Sequence, residues 1–460
     1  MFNFNPQVNI MAIKEFDIFV IGTGSSGKTI AFDCASQGMK VAIADNREYG
    51  GTCANRGCDP KKILVGITEV YQAAKNLENK GLTNTPKIDW EHLQKFKQEF
   101  TSPVPIVNER QLIKAGISLY HQSPKFLGPN TLSVEGKTVK AKKVVIATGR
   151  MPIELKIPGR EYLKVSDDFL NLEALPKNIT FIGGGYIGME LAHIAARCGV
   201  KVTVIQSRDT ILKGFDKDLT KELIKISEGL GIQILLGSRV NKVEKLQKNY
   251  RVHYEKDEKT KSITTELVFN CAGRIPSIAD LDLEIGNIDF GKKGIIVNEF
   301  LQSPSNPNVY ACGDVAATIF PPLTPTANLE AKVLSENIRK GNLTKLPKVV
   351  TPSVVHCIPQ LAMVGLSISD IESQKDIYQV NYKKVPKWFS AKHKNEAEYS
   401  YKVIIDKKNK TIVGAHILAT NAGELINLFT LAINNKVSIE DFKNMIFAYP
   451  TWGNDIQAML

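Results

Sequence analysis

Short apolar runs that end in glycine recur along the chain, and the first of them sets the pattern. Residues 18–21 are apolar, and Gly22, Gly24 and Gly27 follow directly. A helix-length stretch comes next, and a second apolar run ends at Asp45. This alternation of apolar run, glycine turn, helix and apolar run predicts a β-α-β unit.

The glycines and the acid of this unit predict its ligand. Glycines at G-x-G-x-x-G spacing permit a tight turn and let the backbone approach a pyrophosphate at the helix N-terminus. Asp45 follows the last glycine by about 20 residues, where a carboxylate accepts hydrogen bonds from a ribose diol. We therefore predict a dinucleotide site within residues 16–45.

The same pattern returns in the middle of the chain. Gly183, Gly185 and Gly188 repeat the spacing between two apolar runs within residues 179–206. Two such units indicate either two bound dinucleotides or one dinucleotide with a degenerate second copy. The first interpretation is preferred.

The second unit ends without an acid. Gln206 stands where the first unit has Asp45, and Arg208 and Lys213 follow. Two cations near the place of a 2′-phosphate favour NADPH over NADH. The alternative is that both are ordinary loop charges.

Other apolar runs extend the pattern, and the C-terminal part differs. Three further segments each predict a strand that ends in small residues: VVIATGR, VFNCAGR and NVYACGDVA. Beyond about residue 348, strand-like runs precede an amphipathic helix, and no glycine fingerprint occurs. Ser438-x-x-Asp441 resembles a capping box. We predict an α+β domain that serves dimerisation.

Composition excludes several classes of protein. The 460 residues carry a formal net charge of +12, with lysines scattered rather than clustered. This indicates a solvated basic surface or attraction of anionic ligands, and no nucleic-acid signature accompanies it. No apolar stretch reaches membrane-span length and no signal peptide is apparent, so we expect a cytoplasmic protein without membrane contact. We expect a disordered N-terminal tail, with Met11 as an alternative start.

Two of the seven cysteines, Cys53 and Cys58, lie close together in GGTCANRGCDPKK. A zinc site needs further ligands that the surroundings do not offer, and we predict no metal. A permanent disulfide is disfavoured in a reducing compartment. The redox interpretation is preferred, because Asp59-Pro60 predicts a helix start whose partial positive charge favours a thiolate at Cys58. Arg56 and Lys61 act in the same direction, and Asp59 opposes them.

Six segments follow one another along the chain: GTGSSG, GGTCANRGCDPKK, ATG, GGGYIGME, CAGR and ACGDV. Together they resemble the flavin-dependent pyridine nucleotide–disulfide oxidoreductases, the family of glutathione reductase, lipoamide dehydrogenase and mercuric reductase. The resemblance covers essentially the whole chain. It implies an α/β fold with two Rossmann-like domains, for FAD and NAD(P), and a C-terminal α+β dimerisation domain. The implied division is an FAD-binding part at 1–150, an NAD(P)-binding domain at 151–273, a central FAD-binding part at 274–346 and an interface domain at 347–460.

The resemblance also implies roles for individual residues. Cys58 matches the thiol that contacts the flavin, Cys53 matches the interchange thiol, and Lys61 with Glu190 matches an ion pair beside the flavin. Positions that match flavin contacts are Gly22, Gly24, Ser26, Gly27, Asp45, Gly51, Thr52, Thr148, Gly149, Asp314 and Thr324. Positions assigned to the nicotinamide nucleotide are Gly183, Gly185, Gly188, Arg208, Lys213, Gly273 and Tyr186, which matches an aromatic lid.

The C-terminal segment AYPTWGND departs from the family pattern. Tyr449 and Asn454 stand where the family usually carries a His–Glu pair that reaches in from the partner subunit. A tyrosine with a pKa of about 10 can donate a proton but is a poor base near neutrality. We therefore assign Tyr449 as the candidate proton donor.

The expected function follows from the resemblance. NADPH, or less favourably NADH, reduces FAD, then the Cys53–Cys58 disulfide is reduced, and a small disulfide or oxidised thiol compound is the acceptor. One alternative is a reductase of a metal ion, quinone or reactive oxidant. Another is a redox sensor or a component of a protein complex. A homodimer is the expected assembly.

Overall fold

The computed structural model describes residues 13–460. The predicted N-terminal tail and the alternative start at Met11 lie outside the described residues. The described chain forms two compact units. Unit 1 contains residues 13–58, 100–151 and 274–347, and unit 2 contains residues 59–99, 152–273 and 348–460. The four-part division expected from the sequence stays a prediction.

Helices occur throughout the described residues. They are α1 (Ser25–Ser36), α2 (Gly51–Arg56), α3 (Cys58–Asn76), α4 (Trp90–Thr101), α5 (Val104–Lys114), α6 (Ser166–Leu170), α7 (Tyr186–Arg197), α8 (Lys217–Gly229), α9 (Thr324–Lys340), α10 (Phe389–Lys392), α11 (Ala422–Asn434), α12 (Ile439–Asn444) and α13 (Trp452–Met459). Short 3₁₀ turns form at Arg160–Tyr162 and Gly313–Val315. None of the helices within residues 13–460 has both the length and the apolar character needed to cross a bilayer.

Strands make up the sheets of both units. They are β1 (Lys14–Ile21), β2 (Val41–Ala44), β3 (Ser118–Tyr120), β4 (Lys125–Gly128), β5 (Thr131–Val134), β6 (Lys137–Ile146), β7 (Arg150–Pro152), β8 (Asn178–Ile182), β9 (Lys201–Ile205), β10 (Gln233–Leu235), β11 (Arg239–Lys245), β12 (Tyr250–Lys256), β13 (Lys259–Thr265), β14 (Leu267–Asn270), β15 (Arg274–Pro276), β16 (Phe290–Gly291), β17 (Gly294–Ile295), β18 (Val309–Ala311), β19 (Ser353–Val355), β20 (Gln360–Gly365), β21 (Tyr378–Lys384), β22 (Ser400–Asp406) and β23 (Thr411–Ala419).

The main sheet of unit 1 has the order β3-β2-β1-β6-β5-β4, with β18 paired to β6. β1 is buried on both faces, because Ile18 and Val20 pack in one apolar cluster while Phe19 and Ile21 pack in another. This alternation is the period-2 pattern of a central strand in a parallel sheet. β1 pairs in parallel with β2 and β6, and β18 pairs in parallel with β6, so the carboxyl ends of these four strands meet at one edge.

Unit 2 contains a second parallel sheet, in the order β10-β9-β8-β14. Ile182 pairs in register with Ile205 on one side and with Asn270 on the other. The segments that follow these three strands therefore start at the same edge of the sheet. The two β-α-β units predicted from the sequence are both present.

The C-terminal residues of unit 2 form an antiparallel sheet in the order β19-β20-β23-β22-β21, with α11 packed on β20 and β23. Helix α12 begins as the sequence predicts, since Oγ of Ser438 accepts a hydrogen bond from the backbone N–H of Asp441 at 2.9 Å. A further antiparallel sheet, β11-β12-β13, also belongs to unit 2.

A buried ion cluster connects α8 with β22 inside unit 2. Nζ of Lys402 lies 2.9 Å from Oδ2 of Asp216 and 2.6 Å from Oδ2 of Asp218. Asp216 also caps α8, because its Oδ1 accepts the backbone N–H groups of Asp218 and Leu219. Burial alone would lower the pKa of Lys402, but hydrogen bonds to the two aspartates raise it overall. Lys402 is therefore held as a buried cation between two carboxylates.

Candidate active site

The first glycine turn connects β1 to α1 and leaves no room for a side chain at two of its glycines. Gly22 has a φ of 109°, and a Cβ there would lie 2.3 Å from the carbonyl oxygen of Ala147. A Cβ on Gly27 would lie 2.0 Å from the carbonyl oxygen of Gly22. Gly24 precedes α1 without a side-chain cap, so the N–H groups of the first turn are available to a ligand. Ser26 is buried within this turn.

Asp45 lies at the end of β2, next to the glycine turn. Its Oδ2 accepts hydrogen bonds from the backbone N–H of Thr23 at 2.8 Å and from its hydroxyl at 2.6 Å. The same hydroxyl accepts the backbone N–H of Gly50 at 3.2 Å. Thr23 therefore joins the carboxylate to the segment that leads to Cys53, a role that the sequence motif did not reveal.

The cysteine pair lies on two consecutive helices. Cys53 is the third residue of α2, and Cys58 is the first residue of α3. The sequence predicted Asp59 as the N-cap and Pro60 as the first helical residue, but α3 starts two residues earlier and Cys58 is itself helical. A Cβ on Gly57 would lie 2.9 Å from the carbonyl oxygen of Thr52, so this glycine permits the tight passage between the helices.

The two cysteines differ in exposure, since Cys53 is partly buried and Cys58 is exposed. Sγ of Cys58 lies 3.6 Å from Oγ1 of Thr324, the first residue of α9. Thr52, which immediately precedes Cys53, is exposed. Within unit 1, the structure thus places Thr324 beside the cysteine pair, a contact between segments that the sequence treated separately.

Two of the polar residues assigned to the flavin, Thr148 and Asp314, follow the carboxyl ends of β6 and β18. Thr148 follows β6, and its buried Oγ1 has no hydrogen-bond partner among residues 13–460. Burial raises the pKa of Asp314, against the charges of Arg150 and Arg274. Gly149, next to Thr148, has a φ of 66°. A buried unpaired hydroxyl and a buried carboxyl at the carboxyl ends of these strands fit a polar ligand that completes their hydrogen bonds.

The second glycine turn repeats the first. Gly183 has a φ of 115°, and a Cβ there would lie 2.3 Å from the carbonyl oxygen of Cys271. Gly185 precedes α7, a Cβ on Gly188 would lie 2.1 Å from the carbonyl oxygen of Gly183, and Gly273 follows β14. Tyr186 is the first residue of α7 and is 52% exposed.

Gln206 takes the structural place of Asp45 in the second unit. Its Oε1 accepts the backbone N–H of Gly184 at 3.3 Å, as Asp45 accepts that of Thr23, and its Nε2 donates to the carbonyl oxygen of Thr210. Arg208 and Lys213 are both exposed on the loop that follows β9. The end of this strand therefore presents an amide where the first unit has a carboxylate, and two cations follow on the loop.

Lys61 and Glu190 form an ion pair within unit 2. Nζ of Lys61 lies 3.0 Å from Oε1 of Glu190, and both side chains are largely buried. The same carboxylate oxygen accepts the backbone N–H of His356 at 2.8 Å. Burial and the charges of Lys61 and Lys62 lower the pKa of His356 to about 3, so its ring stays neutral near pH 7. The His356 contact joins residues 166 positions apart and carries no motif.

Comparison with known proteins identifies the family. Residues 16–335 match the family model described as pyridine nucleotide-disulphide oxidoreductase, and residues 351–460 match the dimerisation domain of the same family.

The chain belongs to the pyridine nucleotide-disulphide oxidoreductases.

Several members of this family align over nearly the whole chain. A glutathione reductase of Nostoc sp. is 29% identical, covering 97% of this chain and 99% of the relative. A mercuric reductase of Bacillus cereus is 30% identical, covering 96% of this chain and 70% of the relative. A dihydrolipoyl dehydrogenase of Staphylococcus aureus is 30% identical, with coverage of 95% and 94%.

A solved structure of the family shares the fold. The HOCl-induced flavoprotein disulfide reductase RclA from Escherichia coli has a TM-score of 0.85 and 25% identity, covering 96% of this chain and 99% of that chain. The α/β fold class expected from the sequence, with a C-terminal dimerisation domain, is confirmed. Pyridine nucleotide-disulphide oxidoreductases are FAD-dependent enzymes that use a pyridine nucleotide, and this chain is one of them.

The unit 1 site fits FAD on its own geometry. The crowded glycine turn, the uncapped start of α1 and the unpaired hydroxyl of Thr148 match a pyrophosphate and further polar groups of a dinucleotide. Residues 13–460 contain no group of three or more His, Cys, Asp or Glu side chains arranged to hold a metal ion.

A buried glutamate next to this site has no counterpart in the sequence prediction. Glu330 on α9 accepts the backbone N–H of Gly313 at 2.6 Å and the hydroxyl of Thr318 at 2.6 Å. Burial raises its pKa to about 7, although both hydrogen bonds act in the opposite direction. Apolar and polar residues alternate irregularly along α9, so nothing in its sequence marked Glu330 as buried.

The raised pKa of Glu330 predicts a pH-dependent stability. Because the folded pKa lies above the unfolded value, the contribution is full below about pH 4.5 and is lost as pH rises through 7. We expect the urea midpoint of the wild type to fall between pH 5 and pH 8 relative to that of Glu330→Gln, which cannot ionise. Glu336→Gln on the exposed face of α9 is the control. Parallel midpoints for wild type and Glu330→Gln would contradict the assignment.

Tyr449 lies in the loop between α12 and α13. Its side chain is 72% exposed, and its ring centroid lies 6.3 Å from that of Phe389. Asn454 is in the first turn of α13, where its backbone N–H bonds to Oγ1 of Thr451. This stretch therefore presents a phenol and an amide at the two positions where the resemblance implied a His–Glu pair.

Proposed function

We propose that this chain is an NADPH-dependent reductase of a small disulfide or another oxidised thiol compound. The observation that carries the proposal is the thiol pair on consecutive helices, with Cys58 at the start of α3 and 3.6 Å from Thr324. A helix N-terminus favours a thiolate at Cys58. Bound FAD supplies a ring that accepts hydride from the nicotinamide and passes the electron pair to sulfur.

The proposed roles of the protein residues follow from their positions. Cys53 attacks the acceptor and forms a mixed disulfide with one half of it, and Cys58 then attacks Sγ of Cys53, so that the Cys53–Cys58 disulfide forms and the bound half leaves as a thiolate. Lys61 and Glu190 keep a charge pair in a fixed orientation, supported by the backbone N–H of His356. Tyr449 is the proposed proton donor to the departing thiolate, acting in a homodimer that residues 351–460 assemble. The cytoplasm stays the location predicted from the sequence.

Nucleotide preference provides a prediction. We expect Arg208→Ala to lower kcat/KM for NADPH by about tenfold or more, since a charged hydrogen bond to the 2′-phosphate is lost. The value for NADH should stay unchanged, because NADH has no such phosphate. Steady-state kinetics with both nucleotides measure this. Arg251→Ala, an exposed arginine on β12, is the matched control, and an equal loss with both nucleotides would contradict the assignment.

The proposed function is tested by turnover of a panel of small disulfides with NADPH under anaerobic conditions. We expect turnover of at least one disulfide, and Tyr449→Phe should lower it by about a hundredfold, the usual contribution of a general acid. Tyr250→Phe is the control for loss of a phenol hydroxyl elsewhere. If NADPH reduces the cysteines but no disulfide is turned over, the proposal fails.

The exposed Tyr449 also supports a second candidate function. An acceptor such as a metal ion, a quinone or a reactive oxidant needs no protonated thiol leaving group, so the missing imidazole would cost little. This function predicts NADPH oxidation with such acceptors at the same rate in Tyr449→Phe and wild type. A large loss in the variant would exclude it.

A further inference from the structure

A half-buried lysine on α1 has a neutral partner instead of a carboxylate. Nζ of Lys28 donates a hydrogen bond to Oδ1 of Asn108. Asn108 is buried on α5, where its Nδ2 donates to the carbonyl oxygen of Val104 at 2.6 Å. Across residues 13–460, no carboxylate forms an ion pair with Lys28. The ammonium is therefore fixed in place without being neutralised.

Cys53 lies in the same small region of unit 1. The starts of α1 and α2 approach closely, because a Cβ on Gly51 would lie 2.4 Å from Cα of Gly24. A Cβ on Gly50 would lie 3.2 Å from Nδ2 of Asn108. The amide that holds Lys28 thus lies next to Gly50, the residue that precedes α2 and stands three positions before Cys53.

The charges of Lys28 and Cys53 interact. Burial lowers the pKa of Lys28, and the negative charge of the Cys53 thiolate opposes that shift. A Coulomb interaction is mutual, so a thiolate that favours the ammonium form is favoured by it to the same extent. Partial burial strengthens the effect, since solvent screens such a pair less than an exposed one.

The chemistry of the pair needs this charge. A thiol attacks a disulfide only as its thiolate, and a neighbouring cation increases the thiolate fraction at neutral pH. The segment AYPTWGND offers no imidazole for this purpose. We propose that Lys28 is a positioning residue that holds Cys53 in its thiolate form, an inference that rests on the proposed disulfide chemistry of the pair.

The proposed step balances without a proton from Lys28. Sγ of Cys53 forms a bond to one sulfur of the acceptor disulfide, the acceptor S–S bond breaks, and its electron pair leaves on the other sulfur. Lys28 stays an ammonium throughout. Its charge stabilises the attacking thiolate and the negative charge spread over the sulfurs during attack.

Alkylation of the thiols tests the proposal without any acceptor. The full-length FAD-loaded protein is reduced with dithiothreitol, desalted anaerobically and treated with iodoacetamide from pH 5 to pH 9.5. The thiolate then forms an S–C bond and iodide leaves. Trypsin cuts after Arg56, so Cys53 and Cys58 appear in separate peptides and mass spectrometry follows each rate.

We expect Lys28→Met to slow alkylation of Cys53 at pH 7 by about fivefold to tenfold and to move its pH profile up by about one unit. Lys28→Arg should restore the wild-type profile. Lys143→Met is the matched control, because Lys143 is also half-buried, donates to a backbone carbonyl and interacts with the charge of another cysteine, Cys34.

A second variant guards against a folding defect in Lys28→Met. Asn108→Ala keeps the charge but releases its anchor, and we expect a smaller slowing of Cys53 alkylation. An unchanged Cys53 profile in both variants, or an equal shift in Lys143→Met, overturns the proposal. Absence of disulfide turnover in the acceptor panel leaves the alkylation result intact, so failure of the proposed function and failure of this inference are distinguishable.

Discussion

Cys53→Ser should lower disulfide turnover by about a thousandfold or more, since removal of a nucleophile leaves only residual catalysis. Serine at this place is a far weaker nucleophile, because its hydroxyl is not ionised near neutral pH. Reduction of the bound FAD by NADPH, followed anaerobically in a single reaction, should remain close to the wild-type rate, because the residues assigned to the nucleotide do not include Cys53. Stopped-flow spectroscopy and steady-state assays with the best disulfide of the panel measure the two quantities.

Two variants complete the Cys53 experiment. Cys34→Ala removes a buried thiol of the same unit and should leave turnover unchanged. Cys58→Ser should behave differently from Cys53→Ser: Cys53 still attacks the acceptor, but no second thiolate resolves the mixed disulfide. Intact mass spectrometry should then show the added mass of half the acceptor on Cys53. Full turnover in Cys53→Ser would contradict the thiol mechanism altogether.

Lys402→Met should destabilise the protein by about 3–5 kcal/mol, the usual cost of removing one partner from a buried ion pair. Lys402 and Asp216 are both nearly inaccessible to solvent, so the variant leaves a carboxylate buried without its cation. Asp216 must also keep its oxygen on the backbone of α8. It cannot turn toward solvent without giving up the cap.

Chemical denaturation followed by circular dichroism measures the Lys402→Met effect. The matched control is Lys340→Met, which removes a lysine at a similar distance, 2.8 Å, from Glu336, but on an exposed helix face. Its denaturation midpoint should stay at the wild-type value, because solvent screens such a pair. Equal midpoints for Lys402→Met and the wild type would show that Asp216 finds another partner.

The sequence predicted the features that depend on local spacing. Both glycine turns, the acid at Asp45 and the cysteine pair follow from short-range patterns, because a parallel sheet fixes where a strand ends relative to the next turn. The start of α3 differed by two residues, since Asp59 and Pro60 indicate a helix start without fixing whether Cys58 belongs to it. Helix ends are the least certain feature of such patterns.

The sequence missed features that depend on contacts between distant segments. Glu330 is a site residue only because α9 places it against Gly313, and His356 matters through its backbone N–H on Glu190. The contact of Asn108 with Lys28 and its position beside Gly50 depend on the packing of α5 against the start of α2. In each case the residue type is ordinary, and tertiary packing supplies the function.

The polar contacts around α8 affect how the chain can be recombined with its relatives. Besides the Lys402 cluster, the carboxylate of Glu222 accepts the hydroxyls of Tyr382 at 2.7 Å and Ser400 at 2.6 Å. These bonds connect α8 to the C-terminal sheet. A chimera that exchanged residues 348–460 for those of another reductase would leave Asp216 and Glu222 buried without their partners, unless the new segment supplied matching residues. In this protein, a segment that can be exchanged must therefore extend beyond residues 348–460.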